Sequence, residues 1–449
     1  MQSLRLKLLI LSAAAAFSGA LFALIPAGGA VQKALCLGLA ILVILAGLAC
    51  PWPRRSVALI WVMPVLVAFS FLSALSHSSS LLYALAAAQS LVIGVVVYLA
   101  CLMLPLDART LTALKRAFIA LCVIQIVFAF LKLVTHGIDE KVLIGTMSHA
   151  AGQLGFLFPA IAAPVTIFLL RDRPSRMYLM LAGLLVFGII NEKRSVVFLL
   201  PVVIIASVWL NAPQSHGISG RVRRHSWIPA ALVGCAGSAI GLVAMPSLNP
   251  DARYSGSFDP MFAINYAVSY LTMDYGGPLQ ASYEEALRDV NVQVGRFVLV
   301  AEIVRWLQVA DTTTLLVGLG FGTVTPSEWL GTEGDRLFDV LGTRGAISGA
   351  GLAVLETGLL GLALYLMLFA GAIQATLAER RRAHTRLARN WFGTVLVLIG
   401  VFAYDFFFYS LVLLRTLPLP FIFFSILASL PLVARWDRLQ APSKPRASE

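Results

Sequence analysis

The strongest constraint on this chain is a succession of apolar stretches, most of them close to the ~20 residues a helix needs to span a bilayer. Short links rich in arginine, proline or glycine separate them. Of 449 residues 59% are apolar and 12% charged, whereas a soluble domain carries roughly 25% charge. A soluble core would have no way to bury that much hydrocarbon. Segments near 8–25, 31–49, 56–75, 81–104, 115–134, 152–170, 177–190, 196–210, 227–245, 347–377, 391–409 and 417–434 read as transmembrane helices. The first is longer than a signal-peptide core and opens a multi-span chain, so it is expected to stay as an anchor. The expected fold is an all-α polytopic membrane protein of about 12 transmembrane helices, with one large, partly helical outer loop between spans nine and ten. Residues 1–245 carry spans one to nine, 246–346 the loop, 347–434 spans ten to twelve, and 435–449 a charged tail.

The formal net charge of +12 would suggest nucleic acid in a soluble chain, but its distribution points elsewhere. Segments on the side of the amino terminus hold 22 of the 34 basic residues and 5 of the 22 acidic ones. That asymmetry follows the positive-inside rule and predicts both termini in the cytoplasm, so the basicity reports topology and no nucleic-acid partner is expected. Five cysteines lie in or beside apolar spans without Cys-x-x-Cys spacing, and neither a disulfide framework nor a metal site is indicated.

Some outer charges are costly where they stand. Lys193 and Arg194, in the NEKRS connection at 191–195, sit between apolar segments of about 14 and 15 residues, short enough to draw them toward hydrocarbon. Either they snorkel or pair with a carboxylate, or they face an outer cavity and bind an anion. A helix is expected at 294–309, where Arg296 and Arg305 point to opposite faces. Arg305 can pair with Glu302 at i, i+3, while Arg296 shares an apolar face with Ile303 and Leu307 and needs an anionic partner. Arg344 lies just before the tenth span, and Glu356, one or two turns inside it, is either its neutralising partner or protonated. Arginine suits a doubly charged ligand because its planar fork grips two oxygens at once.

His149, in GTMSHAAGQLGF, is either a structural hydrogen-bonder or a general base. The GLGFG segment at 318–322 lacks the strand-turn-helix setting of a dinucleotide fingerprint. It reads as a tight turn whose backbone N–H groups can also approach a phosphate.

Taken together, these segments resemble the O-antigen ligase and Wzy-type polysaccharide polymerase superfamily of bacterial inner membranes. NEKRS is similar to its Ser-Arg or Lys-Arg stretch, matching Arg194. GRFVLVAEIVRWLQVADTTTLLVGLGFG resembles its loop pattern of arginine, Trp-bearing helix and Gly-x-Gly turn, matching Arg296. LETGLLGLALYL, starting at Leu355, resembles its Glu-x-Gly-x-x-Gly opening of the next span, and GTMSHAAGQLGF resembles a Gly-Thr segment that usually carries Asn-Pro-Asn. Ile347 and Ser348 stand where ligase-like members place a histidine. The base assigned to that histidine is therefore not carried over, and His149, Asp335 or Asp339 is left to take the proton.

The resemblance implies metal-independent glycosyl transfer at the periplasmic face, without a cofactor. A polyprenyl-diphosphate-linked glycan would donate its reducing-end sugar to a hydroxyl of an acceptor glycan. Arg194 and Arg296 would neutralise charge growing on the diphosphate, with His149 as base and Lys193, Arg344, Glu356 and Arg305 contacting substrate. Membrane lipids and chain-length or export proteins are the further partners implied. Polymerisation of repeat units is the first reading; ligation to a lipid acceptor and lipid-linked glycan transport are the alternatives. Carriers built of two related halves bind near the bilayer midplane, and the spans here show no obvious halving.

Overall fold

A computed structural model of the chain describes residues 2–25, 28–48, 59–76, 81–104, 107–136, 145–147, 154–191, 194–211, 296–324, 347–408 and 417–440. Among them the fold is all-helical, with no strand. In chain order the helices are α1 (Gln2–Phe17), α2 (Gly19–Phe22), α3 (Gly28–Gly47), α4 (Leu59–Ser76), α5 (Leu81–Leu102), α6 (Ala108–His136) and α7 (Leu154–Leu170). There follow α8 (Pro174–Ile190), α9 (Arg194–Leu210), α10 (Arg296–Val309), α11 (Thr312–Val317), α12 (Gly349–Arg382), α13 (Arg386–Phe408) and α14 (Pro418–Gln440).

Helices α3, α6, α12, α13 and α14 are each long and apolar enough to cross a bilayer, and α7, α8 and α9 are shorter apolar helices. Large apolar side chains such as Leu72, Leu82, Leu131, Leu179 and Phe198 point outward. A water-facing surface of that kind would aggregate, whereas lipid accepts it. These are the helices of a membrane protein. Proline stands inside α4, α7, α9 and α14, as membrane helices tolerate when neighbours satisfy the freed carbonyl.

Helix α7 is buried along nearly its whole length, as an all-apolar helix must be in the middle of a bundle, and packs against α8, α9 and α13. Helix α12 packs on α4, α11, α13 and α14, while α5 joins α3, α4 and α14. Aromatic pairs stitch the layers together: Phe17 on Phe158 at 6.3 Å, Phe156 on Tyr404 at 5.9 Å, and Phe402 on Phe423 at 4.9 Å.

Each apolar segment expected in the described residues falls on helix, but among those residues five helices, not twelve, are long and apolar enough to span a bilayer by themselves, and the segments differ both at their ends and inside, at Ser18 and Gly358. The first segment stops as α1 at Phe17 and resumes as α2 after Ser18. Helices α8 and α9 reach 17 residues each by recruiting polar residues at their starts. Arg194 therefore opens α9 and does not stand in the connecting turn, in keeping with arginine's helix propensity. The charged tail is helical up to Gln440. The segment 227–245 and the loop helices expected near 261–272 and 282–290 lie outside the described residues.

Candidate functional site

Contacts fix which helix ends lie together. The start of α7 touches the end of α1 through Phe158 and Phe17, and the end of α13 through Phe156 and Tyr404. Gly349, opening α12, lies against Phe406 near the end of α13. Gly155 of α7 faces Asn191, the residue after α8. One end of the bundle thus gathers the starts of α7, α9 and α12 with the ends of α1, α8 and α13. Arg194, the first residue of α9, and Glu356 belong to this end.

Its centre is a break in α12. Gly358 has φ 65° and ψ −168°, a left-handed conformation that costs other residues about 1–3 kcal/mol. A Cβ there would lie 2.3 Å from the carbonyl oxygen of Leu316, so only glycine lets the α11 backbone come so close. The GLGFG segment fills the gap as the expected tight turn, with Gly318, Gly320 and Gly322 all at positive φ. Leu319 N–H donates to the freed Leu355 carbonyl at 2.7 Å. Phe321 is buried against Ala74, Ala84 and Ala88, wedging the turn between α4 and α5.

Glu356 sits in this junction, 1% exposed. Its Oε1 accepts from Val324 N–H at 3.1 Å, and its carbonyl oxygen lies 2.8 Å from Ser73 Oγ. The same hydroxyl lies 2.8 Å from Val317 O, so one proton is shared between α11 and the broken turn of α12. Ser348 Oγ caps the start of α12 by accepting from Gly351 N–H.

Helix α10 begins at Arg296 and ends at Val309, close to the expected 294–309. Its buried contact is Ile303, whose Cδ1 stands 2.8 Å from where a Cβ on Gly351 would be, so α10 lies on the first segment of α12. Arg296, seven positions earlier, falls on the same helical stripe. Arg305 is exposed and pairs with Glu302 at 2.6 Å, the i, i+3 arrangement that their spacing predicts. Asp311 caps α11 by accepting from Thr313 and Thr314 N–H at 3.0 and 3.2 Å. Those hydrogen bonds, Thr314's foremost, hold its carboxyl below the usual range.

A second polar knot stands at the same end. Gln125, in the apolar α6, accepts from Thr146 N–H at 2.8 Å and donates to its hydroxyl at 2.6 Å. Thr146 Oγ1 donates in turn to Phe17 O at 2.8 Å. The Gly-Thr-Met piece 145–147 is thereby pinned between α1 and α6. His149, Lys193 and Arg344 lie outside the described residues.

Of the site residues expected from sequence, Arg194, Arg296, Glu356 and Arg305 thus stand on elements sharing this end, and Arg305 is engaged by Glu302. Ser73 and Gln125 were not among them. The only sequence signal for either is a polar residue inside an apolar run. Arg194 and Arg296 are each the first residue of a helix, the end at which the backbone dipole carries partial positive charge. Chemically, the end offers two cations at helix starts, backbone N–H groups in a glycine-rich turn, and two buried carboxyls, Glu356 and Asp405 in the last turn of α13. No protein-family model matches the chain, and a search of curated proteins finds no match.

Proposed function

We propose that this protein is a polysaccharide polymerase of the bacterial inner membrane, with both termini in the cytoplasm. It joins repeat units carried on polyprenyl diphosphate by glycosyl transfer at the periplasmic face, without a metal. The observation that carries the reading is the convergence at one bundle end of Arg194, the Arg296-headed α10 and the GLGFG-filled break beside Glu356. Sequence resemblance alone singled out the same segments.

In the reaction the acceptor hydroxyl attacks the anomeric carbon, the bond from that carbon to the diphosphate breaks, and the diphosphate leaves with the electron pair. Arg194 and Arg296 offset the charge that grows on it, which is where preorganised electrostatics contribute most. His149 or an acidic loop residue accepts the hydroxyl proton. Lys193 and Arg344 extend the anion site, and Arg305, paired with Glu302, is the further substrate contact that the resemblance implies. Glu356 anchors the turn through Val324, so its role is to position the floor of the site. Chain-length or export proteins are its expected partners.

The test is the lipid-linked intermediate that accumulates when the gene is lost. Single repeat units accumulate if the protein polymerises, and finished chains if it ligates. Arg194→Ala and Arg296→Ala, at normal protein levels, are each expected to lower long-chain product about 100-fold or more, and a chelator to leave it unchanged. Full-length product from either variant would sink the diphosphate reading.

A further inference from the structure

The opposite end of α12 carries an independent inference. From Gly358 to Arg380 the helix rises about 33 Å at ~1.5 Å per residue, close to the ~30 Å hydrocarbon thickness of a bilayer. With the break at one headgroup layer, Arg380, Arg381 and Arg382 reach the other. There the last turn of α12, the turn into α13 and the last turns of α14 border an open cavity of about 580 Å³. Glu379, Arg381, Arg382, His384, Asp437 and Arg438 line it.

The acids of this cavity are already committed. Asp437 accepts from His384 and Thr385 N–H, both at 2.7 Å, and from the Thr385 hydroxyl. Glu379 lies 3.8 Å from Arg382 and 3.7 Å from Arg438, longer than the ~2.8 Å of a charge-assisted hydrogen bond. It draws two guanidiniums toward one cavity without filling their donor forks. Two nearby cations serve the fold: Arg380 donates to Leu210 O at 2.9 Å and Arg389 to Ala383 O at 3.3 Å. Arg381, Arg382 and Arg438 stay exposed, with Arg386 and Arg435 beside them. Exposed Leu377, one turn before Arg381, and Leu439, next to Arg438, offer acyl chains a surface near the charge.

We propose that this cavity binds the phosphate of an anionic phospholipid. Arg382 and Arg438 grip the phosphate oxygens, which replace the long contacts both arginines make with Glu379. A basic pocket between membrane helices at headgroup depth has the chemistry for this, and the arginine fork matches phosphate geometry.

The test is native mass spectrometry of the full chain in neutral detergent, titrated with phosphatidylglycerol or with phosphatidylcholine of matched chains. Phosphatidylglycerol is expected to bind at least about tenfold more tightly, and R382Q/R438Q to erase the preference. E379Q removes the competing charge at constant size and is expected to keep the preference or raise it. Inorganic phosphate added as competitor separates the sources. Weak competition identifies the lipid as ligand, whereas competition at equal concentration identifies free phosphate bound by the same arginines. Equal binding of the two lipids by the unmodified chain overturns the proposal. So does a preference retained in R382Q/R438Q, or one lost in E379Q.

Discussion

Helix α12 begins buried and interrupted and ends exposed and continuous, and its two ends satisfy their backbone groups with different materials. At the break, the Leu355 carbonyl is met by another backbone group, Leu319 N–H, and the Glu356 carbonyl by Ser73. At the far end, Arg380 reaches across to the Leu210 carbonyl closing α9, and Asp437 gathers the two N–H groups of the turn into α13. Backbone contacts at a glycine leave no room for adjustment. Long side chains near water can rotate, swap partners or be replaced by solvent. The break is therefore the brittle end and the arginine cluster the tolerant one.

Four substitutions rank the two ends. Gly358→Ala forces a Cβ onto the Leu316 carbonyl at a left-handed backbone, and should destabilise the chain by about 3 kcal/mol or more. Thermal unfolding in detergent measures it, and a change under about 1 kcal/mol would mean that the break is not brittle. Ser73→Ala leaves the Val317 and Glu356 carbonyls without their shared donor inside the bundle. A loss of about 1–3 kcal/mol is expected, with long-chain product falling alongside.

Asp437→Ala removes the acceptor for the α12–α13 turn, but water can reach those N–H groups, so about 1–2 kcal/mol is expected. If this variant proves worse than Gly358→Ala, the ranking of the ends is reversed. The smallest effect belongs to Asp311→Ala, at an exposed cap. It should speed amide exchange at Thr313 and Thr314 a fewfold near neutral pH. Because the folded carboxyl titrates below its ordinary value, the cap is intact above roughly pH 4 and is lost as pH falls through the folded value. The difference between the two chains should therefore vanish in acid.

Much of the architecture was legible because it is written in short-range patterns. Apolar runs located the described helices, with ends displaced by as much as seven residues, the i, i+3 spacing paired Glu302 with Arg305, and glycine alternation marked the turn at 318–322. The break at Gly358 was not legible. Glu-Thr-Gly inside an apolar run looks like one continuous span, and what interrupts it is the approach of a backbone about forty residues earlier. Glu356 shows the same limit: its sequence surroundings offered Arg344, which lies outside the described residues, or protonation, and gave no sign of the Val324 N–H that its Oε1 accepts from. Ser73 was invisible for a larger reason, since its partner carbonyl stands 283 residues away.

That last separation sets an order of events during synthesis. The groove between α4 and α5 that receives Phe321 exists early, but the turn that fills it and the helix that braces it emerge much later. At ~5–20 residues per second, Ser73 waits roughly a quarter of a minute to a minute for Glu356 to be made. Until the carboxy-terminal third is made, the groove between α4 and α5 therefore lacks the Phe321 side chain that fills it, and Ser73 lacks its partner carbonyl.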